Sequence, residues 1–565
     1  MTVPDETGPA AGPGLGSAVA DALARHGVDT VFAIPGTHNL GLVTAVADRG
    51  LRVVVTRHEQ GAGYAADAYA RITGVAGPGP GVGVLVTTTG PGALNAAAAL
   101  AQAWSDSSAT LLVAPGMPTT KPDLPTGRLH EMPDQTAAIA ACVDGAWRAH
   151  DAAGVDAAVA AVVTRARTGR PRPGYLELPL DLVDSVPTPA AAPAGPDPTH
   201  ASPALTGSAA TTDEPRAVRA AAAALADRER VVVVAGGGAR RAAAAVLDLA
   251  ERLDAWVVTS VNGRGTVDES DPRVLGAVLH LPSVHRLLRD CDAVVVVGCE
   301  LAESDTWVER IELPATVVRL DVDATMRERN APGHTVLLPG RAEVTLPLLL
   351  AELPERLPRP TALEPAVAQQ VRGEALTRSV RWRGLLDGLR DALPADTVVT
   401  ADNATVAYYA AQVALPVHSA SSYLFPTGFG TLGWAVPAAV GAVCAAPHRP
   451  VLALAGDGGL MFTVAELATL RDVAVAAGVG VPVVVLDNGG YGEIRDQFLG
   501  RGERPVAVDL TAPDWPALAA AFGARCVQPT AHSGDPACGP QVADAVRAAW
   551  AQPGVTLVAV RETRP

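Results

Sequence analysis

The segment ALAGDGGLMFTVAELATL ends an apolar run on Gly456, Asp457, Gly458 and Gly459. Thirty positions beyond Gly458 a second apolar run, VPVVVLDNGGYGEIR, ends at Asn488. As strands of an open parallel sheet, both runs deliver these residues where strand C-termini meet helix N-termini, the usual ligand crevice. Glycines let main-chain N–H groups approach a phosphate closely, and the following helix adds its positive end. The Asp457 carboxylate and the Asn488 amide oxygen are hard donors, suited to Mg²⁺ bridging a diphosphate. A lone G-D-G also serves as a plain strand-to-helix turn, so spacing and context must carry the assignment.

The chain has the rhythm of elements that could position such a site. LRVVVTRHE and GVGVLVTTTG read as strands, with EQGAGYAADAYARITG a helix between them. RVVVVAGG, AWVVTSVNG, DAVVVVGCE and TVVRLDVD follow as continuous apolar runs, then DTVVTAD, PVLALAGDG and VPVVVLDN. Continuous apolar strands alternating with helices imply parallel sheets covered on both faces. The expected fold class is α/β, with three consecutive doubly wound parallel-sheet domains. Proline- and alanine-rich stretches set the expected boundaries: a flexible tail over 1–13, domains over 14–184, 216–351 and 378–565, and linkers over 185–215 and 352–377.

Composition narrows the class. At 565 residues, 48% hydrophobic and 18% charged, the chain is too long for one ordinary domain and too apolar for wholesale disorder. Lys+Arg 44 against Asp+Glu 59 gives 44 − 59 = −15, with no dense basic stripe, so no nucleic-acid partner is expected. The six cysteines form no C-x-x-C pair and suit reduced thiols in a cytosol. The N-terminus lacks the pattern of a signal peptide, and apolar runs fall short of the ~20 residues of a membrane helix. A cytoplasmic protein without membrane contact is expected.

G-D-G followed about thirty residues later by N-x-G-Y at a strand end resembles the thiamine diphosphate (ThDP) signature. AIPGTHNLGLVTAV, VVVTRHEQGAGYAADAYARITG and TTTGPGALNAAAALAQAWSDS are similar to the pyrimidine-binding domain of the acetolactate synthase and 2-oxo acid decarboxylase family. FPTGFGTLGWAVPAAVGA is similar to its glycine-rich segment before the diphosphate site. The resemblance covers nearly the whole chain and implies ThDP and Mg²⁺ as cofactors. ThDP supplies a nucleophilic carbon and an electron sink for decarboxylation.

The resemblance also implies roles. Glu59 hydrogen-bonds the aminopyrimidine ring and promotes loss of the C2 proton; Pro91 and Asn95 flank the ring. Gly430 offers its carbonyl to the exocyclic amine, and Leu432 is the wedge that bends the cofactor. Asp457, Asn488 and the Gly490 carbonyl hold Mg²⁺, with Gly458, Gly459 and Tyr491 at the cofactor. Thr405 stands where relatives carry a glutamine contacting the diphosphate. The common Asn-Asn pair is Asp487-Asn488 here, and the second position is the ligand. A homodimer or homotetramer with active sites at the subunit interface is implied.

For the substrate, a small-molecule 2-oxo acid, GRLHEMPDQ lies where synthases carry F-Q-E. His130 and Glu131 are therefore candidates to face the carboxylate and the carbanion, the imidazole as proton shuttle. With His38 in IPG-x-HNL and the final NGGYGEIR, the pattern is most similar to 5-guanidino-2-oxopentanoate decarboxylases. Gln497 replaces a synthase tryptophan. Glu493 stands where synthases place an apolar residue beside the substrate; a buried carboxylate needs a partner, and a substrate guanidinium would supply one. Asp496 is a second candidate partner, and a neighbouring backbone N–H could equally occupy Glu493.

In the middle block AGGGARR is not G-x-G-x-x-G, and LGAVLHLPSVHRLL lacks the glycines of flavin-binding synthases, so FAD is not expected. The expected function is non-oxidative decarboxylation of a 2-oxo acid to an aldehyde. The alternatives are a synthase-like carboligase, a ThDP-binding protein without catalysis, and a nucleotide-linked dehydrogenase, which lacks a fingerprint.

Overall fold

Strands buried on both faces must be apolar along their whole length, and the Val- and Ala-rich runs meet that demand. The computed structural model describes residues 12–76, 81–120, 125–186, 200–201, 214–323, 325, 329, 334–354 and 364–562. Two compact units divide the chain, residues 1–205 and 206–565.

The first unit holds one sheet: β1 (Thr30–Ala33), β2 (Arg52–Val55), β3 (Gly83–Val86), β4 (Thr110–Gly116), β5 (Gly145–Arg148) and β6 (Gly174–Pro179). Its order is β2-β1-β3-β4-β6-β5, all parallel, with His200–Ala201 added antiparallel beside β5. Every residue of β1, β3, β4 and β6 is buried, whereas edge strand β2 is partly exposed.

The second unit holds two sheets. The first comprises β7 (Val231–Ala235), β8 (Trp256–Thr259), β9 (Val274–Gly276), β10 (Ala293–Val297), β11 (Thr316–Asp321) and β12 (Thr335–Pro339). The next comprises β13 (Val398–Ala401), β14 (Tyr423–Leu424), β15 (Val451–Gly456), β16 (Gly480–Asp487), β17 (Arg525–Val527) and β18 (Gly554–Arg561). Their orders are β9-β8-β7-β10-β11-β12 and β14-β13-β15-β16-β18-β17, again parallel throughout. The three doubly wound sheets are thus present, and the outer two share one strand order that the middle one does not.

Three expectations about connectors are corrected. Gly12–Pro13, assigned to the tail, pairs antiparallel with Ser185–Val186, assigned to the first linker. The helix Glu214–Ala226 begins inside that linker; residues 1–11, 187–199 and 202–213 lie outside the described residues. The second linker, expected over 352–377, contains a helix, Pro365–Ser379. Proline suits the first helical position, and Ala368, Val371 and Ala375 bury themselves in the core around β7, β8 and β10. The proline-rich start had masked that apolar face.

Within the second unit, Arg264 grips Glu269 through two 2.9 Å bonds and donates to the Ala411 carbonyl at 3.2 Å. Its guanidinium lies 4.5 Å over the Tyr423 ring, and the Val417 N–H donates to Glu269 at 3.0 Å. The loop after β8 is thereby fastened to the β13–β18 layer. Among the described residues no disulfide joins the six cysteines, and no helix is long and apolar enough to cross a membrane.

Candidate cofactor and active site

In the sheet β13–β18 the strand order reverses between β13 and β15, and Asp457 leaves the end of β15 at that point. Asp457 is 4% exposed, and its Oδ2 accepts from the Gly490 N–H at 2.9 Å. Its Oδ1 is buried without a hydrogen-bond partner. Burial, then the neighbouring Asp487 charge, pushes its carboxyl above the usual range. A cation beside Asp457 would relieve both effects.

Asn488, buried just past β16, donates weakly from Nδ2 to Glu562 at 3.5 Å. The Gly490 carbonyl accepts from the Gly492 N–H at 3.1 Å and stands 3.6 Å from where a Cβ on Gly458 would lie. That Cβ would also press on the Tyr491 ring at 3.1 Å, so Gly458 leaves a cradle a side chain would fill. One carboxylate, one amide and one carbonyl fit a hard divalent cation; among the described residues no cluster of three His, Cys, Asp or Glu offers a softer site.

Asp402, which sequence reasoning missed, builds the wall opposite. It is 1% exposed at the end of β13 and accepts from the Asn403 N–H at 2.8 Å and the Gly433 N–H at 3.0 Å. A Cβ on Gly459 would come 2.8 Å from its Oδ2. Asp402 thus clamps the turn carrying Gly430 (φ +70°) and half-buried Leu432 beside the glycine cradle. Burial raises its carboxyl to about 6. Thr405, buried, opens the π-helix Val406–Ala411 that follows. Glu493, on helix Gly492–Gly500, accepts from Gln497 at 3.0 Å and Tyr409 at 3.3 Å. Asp496 pairs instead with Arg381 at 3.2 Å.

In the first unit, Glu59 opens helix Glu59–Ala76 just after β2 and is 9% exposed. Asn95, one turn into helix Pro91–Ser105, donates to Glu59 at 3.0 Å. Pro91, exposed, occupies the first position of that helix. The buried hydroxyl of Thr88, also missed, has no partner, and its side chain packs between Gly36 and Gly92.

His38 and His130 form an edge-on pair with ring centroids 5.1 Å apart, each with an unpartnered buried Nδ1. Burial, then His130, lowers the pKa of His38. His130 holds φ +62° against Gly90, whose N–H donates to Gln135 at 2.6 Å. Gln135 stands in the quoted GRLHEMPDQ yet went unassigned. Glu131 differs from its expected role: its Oε2 accepts from the N–H groups of Thr126, Gly127 and Arg128 at 2.7–3.1 Å and ties its own loop.

Comparisons with known proteins identify the family. Models of the thiamine pyrophosphate enzyme N-terminal TPP binding domain, central domain and C-terminal TPP binding domain match residues 14–138, 218–349 and 402–560. A probable 2-ketoarginine decarboxylase, AruI of Pseudomonas aeruginosa, is 37% identical over 554 residues, covering 97% of this chain and 93% of the relative. The acetolactate synthase large subunit of Parasynechococcus marenigrum is 30% identical, covering 91% and 83%. The alpha-keto-acid decarboxylase of Mycobacterium avium is 29% identical, covering 84% and 82%. With its acid and glycine cradle at the end of β15 and three domain models in matching order, the chain belongs to the thiamine pyrophosphate enzyme family.

Proposed function

We propose that the protein decarboxylates a 2-oxo acid without oxidation, using ThDP and Mg²⁺, and prefers 5-guanidino-2-oxopentanoate. The observation that carries the cofactor reading is the buried, unpartnered Oδ1 of Asp457 beside the Gly458–Gly459 cradle. Bound ThDP supplies the nucleophilic carbon and the electron sink. Asp457, Asn488 and the Gly490 carbonyl would hold the metal, and half-buried Leu432 would pack against the cofactor. Glu59, steadied by Asn95, holds a proton at the aminopyrimidine. His38 and His130, an edge-on pair with unpartnered Nδ1 atoms, would move protons at the reacting carbon.

The AruI relative is named for a 2-ketoarginine decarboxylase, which supports the guanidino substrate together with Glu493. A screen of 2-oxo acids with ThDP and Mg²⁺, following CO₂ and products, tests it. Glu493→Gln should narrow the preference over pyruvate by about 1.5–3 kcal/mol. A wild type favouring pyruvate would discard the guanidino substrate and leave the cofactor reading intact.

A carboligase is the second reading, favoured by the acetolactate synthase relatives; a coupled C–C product in place of aldehyde would select it. Against FAD stand Gly236 and Gly238, whose N–H groups already donate to Val297 and Gly298 carbonyls at 2.8 and 3.0 Å. We further propose three domains, a cytoplasmic location and an active homodimer or homotetramer.

A further inference from the structure

Two elements leave the cofactor end of the β13–β18 sheet: the π-helix Val406–Ala411 after Thr405, and helix Gly492–Gly500 after Asn488. Consecutive α-helical residues point about 100° apart and seldom share a partner. In the wider π turn Tyr409 donates its hydroxyl to Glu493 at 3.3 Å, and burial, then the Glu493 charge, raises the pKa of Tyr408 beside it. Their ring centroids are 4.7 Å apart. Trp307, beyond β10, stands edge-on to Tyr408 at 6.4 Å and Tyr409 at 5.4 Å. His280 stacks on Trp307 at 4.1 Å, is 3% exposed, and has no partner at either ring nitrogen. Burial, then the charges of Arg378 and His285, brings its pKa down to about 3, so it joins the cluster as a neutral ring.

We propose that Tyr408, Tyr409 and Trp307 form an aromatic wall that, with Glu493, receives the guanidinium end of the substrate; this rests on the decarboxylase reading above. A guanidinium stacks on aromatic faces while donating in its plane to a carboxylate. The chain's own guanidiniums already use these indoles, Arg378 at 5.9 Å over Trp307 and Arg381 at 5.3 Å over Trp382. Trp382 in turn lies nearly parallel to Tyr409 at 6.4 Å.

The local charge suits a cation. Arg378 pairs with Glu374, and Arg381 with Asp496 and Glu562, so with Glu493 four carboxylates face two guanidiniums. The wall is reachable: Trp307 is 39% exposed, and both tyrosines and Glu493 are half-buried.

The test compares 5-guanidino-2-oxopentanoate with its neutral isostere 5-ureido-2-oxopentanoate and with 2-oxooctanoate, on the full chain with ThDP and Mg²⁺. Tyr409→Phe keeps the ring and removes the hydroxyl that orients Glu493; Trp307→Leu removes the stacking face. Each should lower kcat/KM for the guanidino acid about five- to thirtyfold. The value for 2-oxooctanoate, which has no cation to lose, should fall by a smaller factor than that for the guanidino acid, with a Tm near wild type. In calorimetry 5-guanidinopentanoate, which lacks the reacting ketone, should bind the wild type and bind both variants more weakly. A guanidino-to-ureido ratio unchanged by either substitution, or equal losses on all three acids, overturns the wall and spares the decarboxylase. A wild type that does not prefer guanidino over ureido overturns the guanidino substrate itself, and the wall with it.

Discussion

The second and third sheets each end a central strand on a run of glycines, and the two turns are built differently. After β7, a Cβ on Gly236 would meet the Gly298 carbonyl at 2.2 Å, and one on Gly238 the Gly298 Cα at 2.9 Å. Those glycines serve backbone-to-backbone packing, and their N–H groups are taken. After β15, Gly458 and Gly459 face side chains, Tyr491 and Asp402, and open the first turn of helix Asp457–Phe462. N–H groups there have no intrahelical partner. A glycine run at a strand end therefore reads as a ligand site where side chains rather than backbone crowd it and a buried polar atom is left over.

The severest challenge to that contrast is Asp457→Ala. ThDP binding that depends on Mg²⁺ should fall below detection in calorimetry, since the metal loses its one charged ligand. Unchanged affinity would leave the β15 turn no different in kind from the β7 turn. Glu59→Gln extends the contrast to the first sheet, which has the strand order of the third. ThDP should stay bound while deuterium exchange at its C2 slows by about 10²–10⁴. Exchange at the wild-type rate would remove Glu59 from the chemistry.

Asp402 gives the third sheet a pH signature of its own. Its carboxyl is raised to about 6, so between about pH 4 and pH 6 the folded chain holds a proton that the unfolded chain has lost. Stability must fall as pH rises through that window. Denaturant titrations should show the wild type losing on the order of 2–3 kcal/mol between pH 4 and pH 7 relative to Asp402→Asn. Parallel curves would refute the buried, protonated carboxyl.

The smallest effects separate the two glycine turns directly. Gly298 has φ +54°, and its added Cβ would lie 2.6 Å from the Gly238 Cα, so Gly298→Ala should cost about 1–2 kcal/mol in thermal unfolding. Its ThDP affinity should match wild type. Gly458→Ala should do the reverse, weakening ThDP about tenfold, or about 1.4 kcal/mol, with little change in Tm. Identical phenotypes would erase the distinction.

Local pattern was enough for the three sheets, because the apolar runs that form them are contiguous. It failed where partners are distant in sequence. Tyr409 meets Glu493 across 84 positions, and Asp402 clamps Gly433 across 31. The Tyr408–Tyr409 pair in an alanine-rich run looks like ordinary core, since a 3.6-residue period gives no sign of a π turn. Sequence offered Glu131 as a group facing the substrate and gave no sign of the three loop N–H groups that its Oε2 accepts from.

Arg264 carries a consequence for the order in which the chain assembles. Glu269 lies five residues away, but the Ala411 carbonyl lies 147 residues downstream. On a ribosome the guanidinium and its glutamate emerge long before the carbonyl, the Tyr423 ring and the Val417 amide that enclose them. The β7–β12 sheet therefore stays wet at one corner until the last sheet arrives, since an ion pair whose remaining donors lack partners is costly to dry. Folding of the second unit closes as one event, with translation of the final domain as its clock.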